Sequence, residues 1–383
     1  MTADLDIEQL NRVKAAVEAD VAGGSYYGAV LGVSRGGAPA WFATVGCGDR
    51  AGRRPLARDS VFSVFSITKA FTNLLVFKAI DRGQLALTTR VSEVIPEFSG
   101  GLRQSVTFYH LLTQSSGLPA IFTLGPGQYI DRFEEVLPQV LQLAHCECPP
   151  GERVTYSPMV AHVLMAESVR RLDPKKRSIR QLMVDEVFTP LGMKDTALGV
   201  RADLKPRHVV PDLRGNVPAQ HLGHSNYGSD GAFEEEHAEM PWVGAISTVP
   251  DLLRYAQMLR RGGASQDGIR VVSRALLEQA TINRTGDEPN ELLRQLGFSR
   301  GWETAPAYIG LGFFLRGEAI CRHQFGTLAS ARTHGHQGAG SGVVWVDPAR
   351  ELCFAMLSAG VLHEADNIER FQRLSDMVIA AAE

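Results

Sequence analysis

The chain has 383 residues, which is long enough for two domains or for one large domain that carries an insertion. Its composition is that of a globular protein, with 44% hydrophobic and 21% charged residues. The formal net charge of -3 at pH 7 leaves no basic surplus, so we expect no nucleic acid and no membrane as partners.

The N-terminal sequence MTADLDIEQLNRVKAAVEAD lacks the positive start, the apolar core and the small-residue cleavage site of a secretory signal. No apolar run reaches about 18 residues, the length that a membrane-spanning helix needs. The five cysteines are an odd number, which indicates reduced thiols. We therefore expect a cytoplasmic protein. The HCEC stretch at 145–148 has no second pair of ligands at a usable spacing, so neither a metal nor a cofactor is predicted.

The predicted elements begin with a helix at 5–22 and a hairpin that turns at Arg35-Gly36-Gly37. Residues 66–82 predict a helix that is apolar on nearly all sides, and is therefore buried, with Gly83 as its stop. Further helical patterns lie at 107–114, 132–145, 159–172, 178–188, 249–261 and 273–281. Strand patterns return at 309–317, 341–348 and 351–360, before a last helix at 365–382.

Strands at both ends and helices in the middle predict an α/β fold of the α+β type. An antiparallel sheet would be built from the N- and C-terminal strands, with flanking helices and an inserted, mainly helical domain. Residues 1–60 and 305–383 would form the sheet-containing region and residues 61–304 the helical region, with the functional site at their junction. Segment 206–243 is rich in Gly, Pro, His and acidic residues and has little periodicity, so we interpret it as a lid or pocket wall.

Two polar side chains interrupt the apolar helix predicted at 66–82. Ser66 and Lys69 are three residues apart, which places both on one helix face within hydrogen-bond reach. Free backbone N–H groups at a helix start can stabilise the oxyanion that forms when a serine attacks a carbonyl. A lysine among apolar neighbours has a lowered pKa and can accept the serine proton. Chance alone gives roughly half a Ser-x-x-Lys match in such a chain, so the apolar setting carries the interpretation.

Two later stretches support a serine nucleophile. In PPGERVTYS (149–157), Tyr156 would project from a loop before a helix and relay protons once a nearby cation lowers its pKa. Taken alone, this tyrosine would be interpreted as structural. In GHQGAGSGVVWVDP (335–348), His336 and Gly338 come just before a predicted strand, and the glycines let backbone N–H groups approach a ligand.

In this order, these stretches resemble the serine β-lactamase and penicillin-recognising superfamily, in its class C-like and family VIII carboxylesterase branch. The resemblance covers nearly the whole chain. It also includes FSVFSITKAFT around the serine, VTFYHLLTQSSGLP (106–119) and WVGAISTVPDLLRYAQML (242–259). It implies an enzyme whose serine is acylated by the substrate and then releases the acyl group to water or to another acceptor.

The resemblance also assigns roles to individual residues. Ser66 is implied as the nucleophile, and Lys69 and Tyr156 as the pair that moves the proton, with the principal base left open. His336 stands where the family usually has the lysine of Lys-Thr-Gly. The backbone N–H groups of Ser66 and Ala339 would form the oxyanion hole.

Three positions depart from the family pattern. Pro158 replaces the asparagine of Tyr-x-Asn, which contacts the amide side chain of β-lactams. His336 replaces a lysine, so one cation that would hold a β-lactam carboxylate is expected to be missing. Gln114 replaces a histidine that is common in this segment. These departures weaken a β-lactamase interpretation and suit esterases or acyl-transferring relatives.

We therefore expect a serine carboxylesterase that acts on a small-molecule ester through an acyl-serine intermediate. One alternative is an acyltransferase that passes the acyl group to an alcohol or amine in natural-product metabolism. Others are a weak β-lactamase or D-peptidase and a non-catalytic binding relative. The substrate pocket is predicted to include Trp242, Trp302 and Phe325 beside segment 206–243. The natural substrate and the oligomeric state are left open.

Two further patterns suggest other chemistry. GVSRG (32–36) matches the Gly-x-Ser-x-Gly elbow of α/β-hydrolases, but a second strand follows it where an elbow needs a helix, so the hairpin is favoured. HLGH (221–224) has two histidines at a spacing of three, but its segment has no helical pattern, and solvated loop histidines are favoured over zinc ligands.

Overall fold

The computed structural model describes residues 5–37, 40–124, 128–212 and 232–382. The α-helices in these ranges are α1 Ile7–Ala22, α2 Thr68–Asp81, α3 Val91–Val94, α4 Phe108–Leu112, α5 Phe133–Leu143, α6 Val160–Leu172, α7 Ile179–Met183, α8 Thr189–Leu191, α9 Val249–Arg260, α10 Arg274–Ala280, α11 Glu291–Phe298 and α12 Glu364–Ala380. The strands are β1 Gly28–Arg35, β2 Trp41–Gly46, β3 Val61–Ser63, β4 Ala197–Leu198, β5 His208–Val209, β6 Ala245–Ser247, β7 Phe314–Leu315, β8 His334–Gly338, β9 Gly342–Asp347 and β10 Leu352–Ala359.

The main sheet is built from both ends of the chain. Within the described ranges its strand order is β2-β1-β10-β9-β8-β7, and all of its neighbouring strands are antiparallel. The N-terminal hairpin joins the C-terminal strands through β1 and β10, where Gly28 lies opposite Ala359. Together with the mainly helical middle of the chain, this sheet confirms the predicted α/β fold of the α+β type.

Helices cover both faces of the main sheet, which is why every residue of β10 is buried. Helices α1 and α12 pack on one face through side chains such as Val13 and Phe371. Helix α9 packs on the other face, against β1. There a Cβ on Gly32 would come within 2.8 Å of the side chains of Leu253 and Val249. The close approach of helix and strand therefore requires glycine at this position.

The hairpin interpretation of GVSRG is confirmed. Ser34 lies within β1, and the chain turns at Gly36 and continues into the antiparallel strand β2. Since no helix follows this serine, it does not have the geometry of a hydrolase elbow.

The middle of the chain is organised around α2, which is buried on nearly all sides and packs against α6. The chain leaves this helix at Gly83, whose φ of +68° supplies the predicted stop. The 3-10 turn Phe65–Ile67, just before α2, lies against β8 of the main sheet. The division into a sheet-containing region and a helical region at residues 61–304 stays a prediction.

The structure differs from the expected element order at several places, one of which is the short helix α3. Strands β3 to β6 form a small second sheet in the middle of the chain, where no strand was predicted, because runs of two or three residues carry no periodic signal. The stretch His334–Gly338, expected to precede a strand, is itself strand β8. The predicted strand at 309–317 shrinks to two residues beside Gly312, whose φ is +73°. The eight-residue helix α11 was also missed.

None of the helices in the described ranges is long and apolar enough to cross a membrane.

Replacing Gly32 with valine should lower the free energy of unfolding by about 1–3 kcal/mol, the usual cost of overpacking a core. The added methyl groups would have to enter the space of Leu253 and Val249. Equilibrium urea unfolding measures this difference. Gly37→Ala is the matched control, because its new Cβ would meet no atom within 4 Å. A Gly32→Val variant as stable as the wild type would contradict the packing of α9 on β1.

Candidate active site

Ser66 is placed by a sharp turn between a strand and a helix. The chain leaves β3 at Ser63, and Phe65 adopts a φ of +45°, a left-handed conformation that is strained for a bulky residue. Phe65 is 1% exposed, and its ring lies 5.4 Å from that of Phe233. Core packing therefore holds the strained turn, which puts Ser66 at the N-terminal end of α2 as predicted.

Lys69 lies one helical turn after Ser66 and is 4% exposed. Its Nζ is 3.3 Å from Ser66 Oγ and 2.9 Å from the carbonyl oxygen of Trp242. No carboxylate in the described part of the chain forms an ion pair with it. Burial therefore lowers the pKa of Lys69 from 10.5 to about 7. Near neutral pH, much of this lysine is the free amine.

Tyr156 reaches the same serine from the loop before α6. Its hydroxyl donates a hydrogen bond of 2.8 Å to Ser66 Oγ. The loop is held by Gln114, whose Oε1 accepts from the N–H of Ser157 at 2.7 Å, and by Asn290, whose Oδ1 accepts from the N–H of Tyr156 at 3.3 Å. Burial raises the pKa of Tyr156 above its ordinary value. The phenol is therefore protonated at neutral pH, which corrects the expectation that a nearby cation lowers its pKa.

The third motif contributes His336, which lies on β8 and is 4% exposed. Its Nε2 is 3.0 Å from the hydroxyl of Tyr255. Burial lowers the pKa of His336 to about 3, and the nearby His334 and Lys69 contribute to the shift. The ring is therefore neutral at pH 7 and supplies no positive charge to the site.

The predicted oxyanion hole consists of the backbone N–H groups of Ser66 and Ala339. Both residues line one cavity. Within the described part of the chain, neither N–H donates to a backbone or side-chain acceptor. Gly338, which precedes Ala339, lies so close to the turn before α2 that a Cβ on it would be 2.3 Å from the carbonyl oxygen of Val64. This contact holds the residue before Ala339 against the turn that carries Ser66.

The cavity beside Ser66 has a volume of about 360 Å³, within the range of small-molecule sites. Most of its wall is apolar: Phe122, Leu292, Leu293, Leu296 and Phe314. The three leucines lie on α11, the helix that the sequence analysis missed. Its N-cap is Asn290, so the residue that holds the Tyr156 loop also fixes this wall.

The structure corrects the predicted pocket residues. Phe325 is fully buried in the core between α12 and the sheet, and Trp302 lies beneath the guanidinium of Arg322. Neither residue lines the described cavities that contain Ser66. Trp242 is 2% exposed and contributes its carbonyl oxygen to Lys69, whereas its side chain packs in the core. An aromatic residue in a sequence gives no indication of which side of the core it will face.

Segment 206–243 is described at its two ends. Phe233 and Trp242 contact Phe65 and Lys69, so the C-terminal end reaches the candidate site. Residues 213–231, with His221 and His224, lie outside the described residues, and the prediction of a lid stays a prediction for them. In the described ranges, no group of three or more His, Cys, Asp or Glu side chains is arranged to hold a metal.

Sequence reasoning missed a polar cluster behind Lys69. His162 Nε2 lies 3.1 Å from Asn73 Oδ1, and Asn73 Nδ2 donates to the carbonyl of Gly312 at 2.9 Å. These side chains and Lys69 line a small cavity of about 20 Å³. Burial also lowers the pKa of His162, so the cluster is uncharged at neutral pH. A histidine inside an apolar helix pattern gave no sign of this contact.

Replacing Lys69 with methionine should stabilise the protein more at pH 6 than at pH 9.5. Folding lowers the pKa of Lys69 from 10.5 to about 7, so between these values the folded protein releases a proton that the unfolded chain keeps. The cost of burying the ammonium is therefore complete below pH 7 and disappears as the pH rises toward 10.5. Thermal unfolding of both proteins at both pH values measures the difference.

Lys194→Met, the same substitution at an exposed position outside the candidate site, is the matched control at each pH value. A stability gain for Lys69→Met that does not depend on pH would contradict the lowered pKa of Lys69.

Comparison with known proteins adds to this geometry. The sequence matches the family model described as Beta-lactamase over residues 13–376. Penicillin-binding protein 4 of Amycolatopsis lactamdurans is 28% identical over 255 residues, which are 64% of this chain and 62% of that protein, so the chain spans less than two thirds of that relative. The esterase/β-lactamase LipL of Mycobacterium tuberculosis is 25% identical over 361 residues, 88% of this chain and 77% of that protein.

The fold is also that of solved members of the family. The crystal structure of a family VIII carboxylesterase superposes with a TM-score of 0.75 over 97% of both chains, at 21% sequence identity. The predicted resemblance is thus confirmed. The family model covers most of the chain, and the chain belongs to the Beta-lactamase family.

Proposed function

We propose that the protein is a serine carboxylesterase that works through an acyl-Ser66 intermediate. The observation that carries this proposal is the position of Ser66 Oγ, which lies 3.3 Å from Lys69 Nζ and 2.8 Å from the Tyr156 hydroxyl. An attacking serine needs a base within hydrogen-bond reach and donors for the oxyanion. The N–H groups of Ser66 and Ala339 supply those donors in this proposal.

Lys69 is the principal base in this mechanism. Its pKa of about 7 leaves a free amine at neutral pH, whereas burial raises the pKa of Tyr156 and keeps the phenol protonated. The neutral amine can donate to the Trp242 carbonyl and still accept the proton of Ser66. Tyr156 then serves as a hydrogen-bond donor to Ser66 Oγ rather than as the first acceptor.

Acylation follows from these positions. Ser66 Oγ forms a bond with the ester carbonyl carbon as its proton passes to Lys69 Nζ. The tetrahedral oxyanion is held by the two backbone N–H groups, and the C–O bond to the alcohol breaks as that oxygen receives the proton from Lys69 through Tyr156. Water then attacks the acyl-serine with the same groups in reverse, which releases the acid and restores Ser66.

An ester suits this site better than a β-lactam. His336 is neutral where the family usually has a lysine, so it offers no charge to a β-lactam carboxylate. Pro158 offers no side-chain donor to an amide. Both features reduce recognition of the lactam without affecting the groups around Ser66.

Acyl transfer is the second candidate. The apolar wall beside Ser66 favours an apolar acceptor over water in the second half-reaction. A transferase would retain the acyl group on Ser66 in water and release it when an alcohol or amine is added. The first half-reaction is the same in both candidates.

Ser66→Ala should abolish release of p-nitrophenol from a short p-nitrophenyl ester, and Lys69→Ala and Tyr156→Phe should each lower acylation by about a hundredfold or more, the scale of lost acid–base help. Stopped-flow absorbance together with intact mass measures turnover and the acyl adduct. Ser34→Ala, Lys194→Ala and Tyr109→Phe are matched controls away from the site. Near-normal acylation in Lys69→Ala would contradict its role as base.

The same measurements, made with a chromogenic cephalosporin as well as the ester, separate the remaining candidates. Fast cephalosporin hydrolysis would favour a β-lactamase or D-peptidase, and a stable adduct on Ser66 would favour acyl transfer. A folded protein with no adduct and no turnover would favour a non-catalytic binding relative.

The rate of acylation should also depend on pH. Because Lys69 acts as the free amine, kcat/KM for an uncharged ester should rise with pH and level off above a midpoint near its pKa of about 7. Initial rates between pH 5.5 and 9 give this midpoint. A profile without any change between pH 6 and 8 would contradict the assignment of Lys69 as the base.

A further inference from the structure

One carboxyl group lies in the wall of the cavity beside Ser66. Glu364 is the first residue of α12 and faces the same space as the nucleophile. Among the described residues that line this cavity, Glu364 and Tyr156 are the ones that ionise, and burial raises the pKa of Tyr156 so that its phenol stays neutral. Glu364 is therefore the source of charge in the described part of this cavity's wall, which is otherwise uncharged.

The neighbours of Glu364 leave it able to bind a further donor. Its Oε1 accepts from Gln337 Nε2 at 2.6 Å, and its Oε2 accepts from the N–H of Gly340 at 3.2 Å. A carboxylate has about four acceptor positions, so each oxygen retains free capacity. Burial raises the pKa of Glu364 to about 7, which leaves the group mostly ionised at pH 8.

One described cation, Arg370, acts on this carboxylate through its charge without contacting it. Arg370 is close enough to lower the pKa of Glu364 in part, but the two side chains form no ion pair. The Arg370 guanidinium instead donates to Ser358 Oγ at 3.1 Å and to Asn367 Oδ1 at 2.6 Å. It does not line the cavity, so a ligand there meets the carboxylate and not the guanidinium.

We propose that Glu364 makes the pocket selective for esters that carry a basic amine on an apolar chain, and that it disfavours esters that carry a carboxylate. This inference rests on the proposed esterase function. The apolar chain of the substrate would pack against the leucines of α11, while the ammonium at its end donates a charge-assisted hydrogen bond to Glu364. A carboxylate in the same place would meet a like charge in a poorly hydrated site.

The test compares esters of similar shape that differ at one end. The acyl series is p-nitrophenyl heptanoate, p-nitrophenyl 6-aminohexanoate and the mono-p-nitrophenyl ester of pimelic acid. The alcohol series is butanoate esters of 4-ethylphenol, 4-(aminomethyl)phenol and 4-(carboxymethyl)phenol. In at least one series, kcat/KM at pH 8 should be about tenfold higher for the amine than for the uncharged ester, a difference that one charge-assisted hydrogen bond allows. In the same series, kcat/KM for the acid should be lower than that for the uncharged ester.

Three variants identify the carboxylate as the cause. In Glu364→Gln, the ratio of kcat/KM for the amine ester to kcat/KM for the uncharged ester should fall to about one. Glu364→Asp keeps the charge and should retain most of the wild-type ratio. Glu369→Gln is the matched control on the same helix, since the Glu369 side chain is exposed and faces Arg322 at 3.6 Å. The ratio in this control should equal that of the wild type.

The ratio also separates selectivity from a structural role. If Glu364 merely held Gln337 and Gly340 in place, Glu364→Gln would change the rates for all esters by the same factor, which would overturn the proposal. Equal rates for amine and uncharged esters in both series would overturn it as well. Failure to hydrolyse any ester would instead contradict the proposed esterase function, so the two failures are distinguishable.

Discussion

The site depends on one unfavourable interaction, the burial of the Lys69 amine without a carboxylate beside it. Within the described structure its neighbours include a serine, a backbone carbonyl, the Tyr156 ring and the uncharged polar cluster of His162 and Asn73. Each of these can accept or donate a hydrogen bond, but none offsets a full positive charge. Burial lowers the pKa of Lys69 to about 7 for this reason, and a side chain that would be an ammonium in water becomes a base that works at neutral pH.

The rest of the fold maintains that environment. Helix α2 is buried on nearly all sides, and Lys69 on it is 4% exposed. Strand β8 of the main sheet lies directly against the turn before this helix, and the absence of a side chain at Gly338 allows the approach. The strained turn at Phe65 is then fixed by packing rather than by its own preference. The strain at this turn costs stability, and the turn places Ser66 for its reaction.

The sequence could predict the parts of the site that are encoded locally. Ser66 and Lys69 share one helix face, and Tyr156 follows a turn that a proline pair and a glycine impose, so spacing and resemblance were enough to predict three side chains that the structure brings together. The partners that come from distant parts of the chain could not be found in this way. Asn290 and Glu364 reach the site through tertiary packing alone, and an isolated acidic or amide residue at a helix start is typical of ordinary capping. The small second sheet was missed for a related reason, since its strands are too short to show a period.

The most direct test of this account is a nuclear magnetic resonance titration of the seven lysine side chains in isotope-labelled protein. The resonance of Lys69 is identified by its absence in Lys69→Met. The account predicts that this resonance titrates near pH 7, well below the ordinary lysine value of 10.5. A Lys69 amine that titrates near 10.5 would be an ammonium at neutral pH, and it could not accept the proton of Ser66.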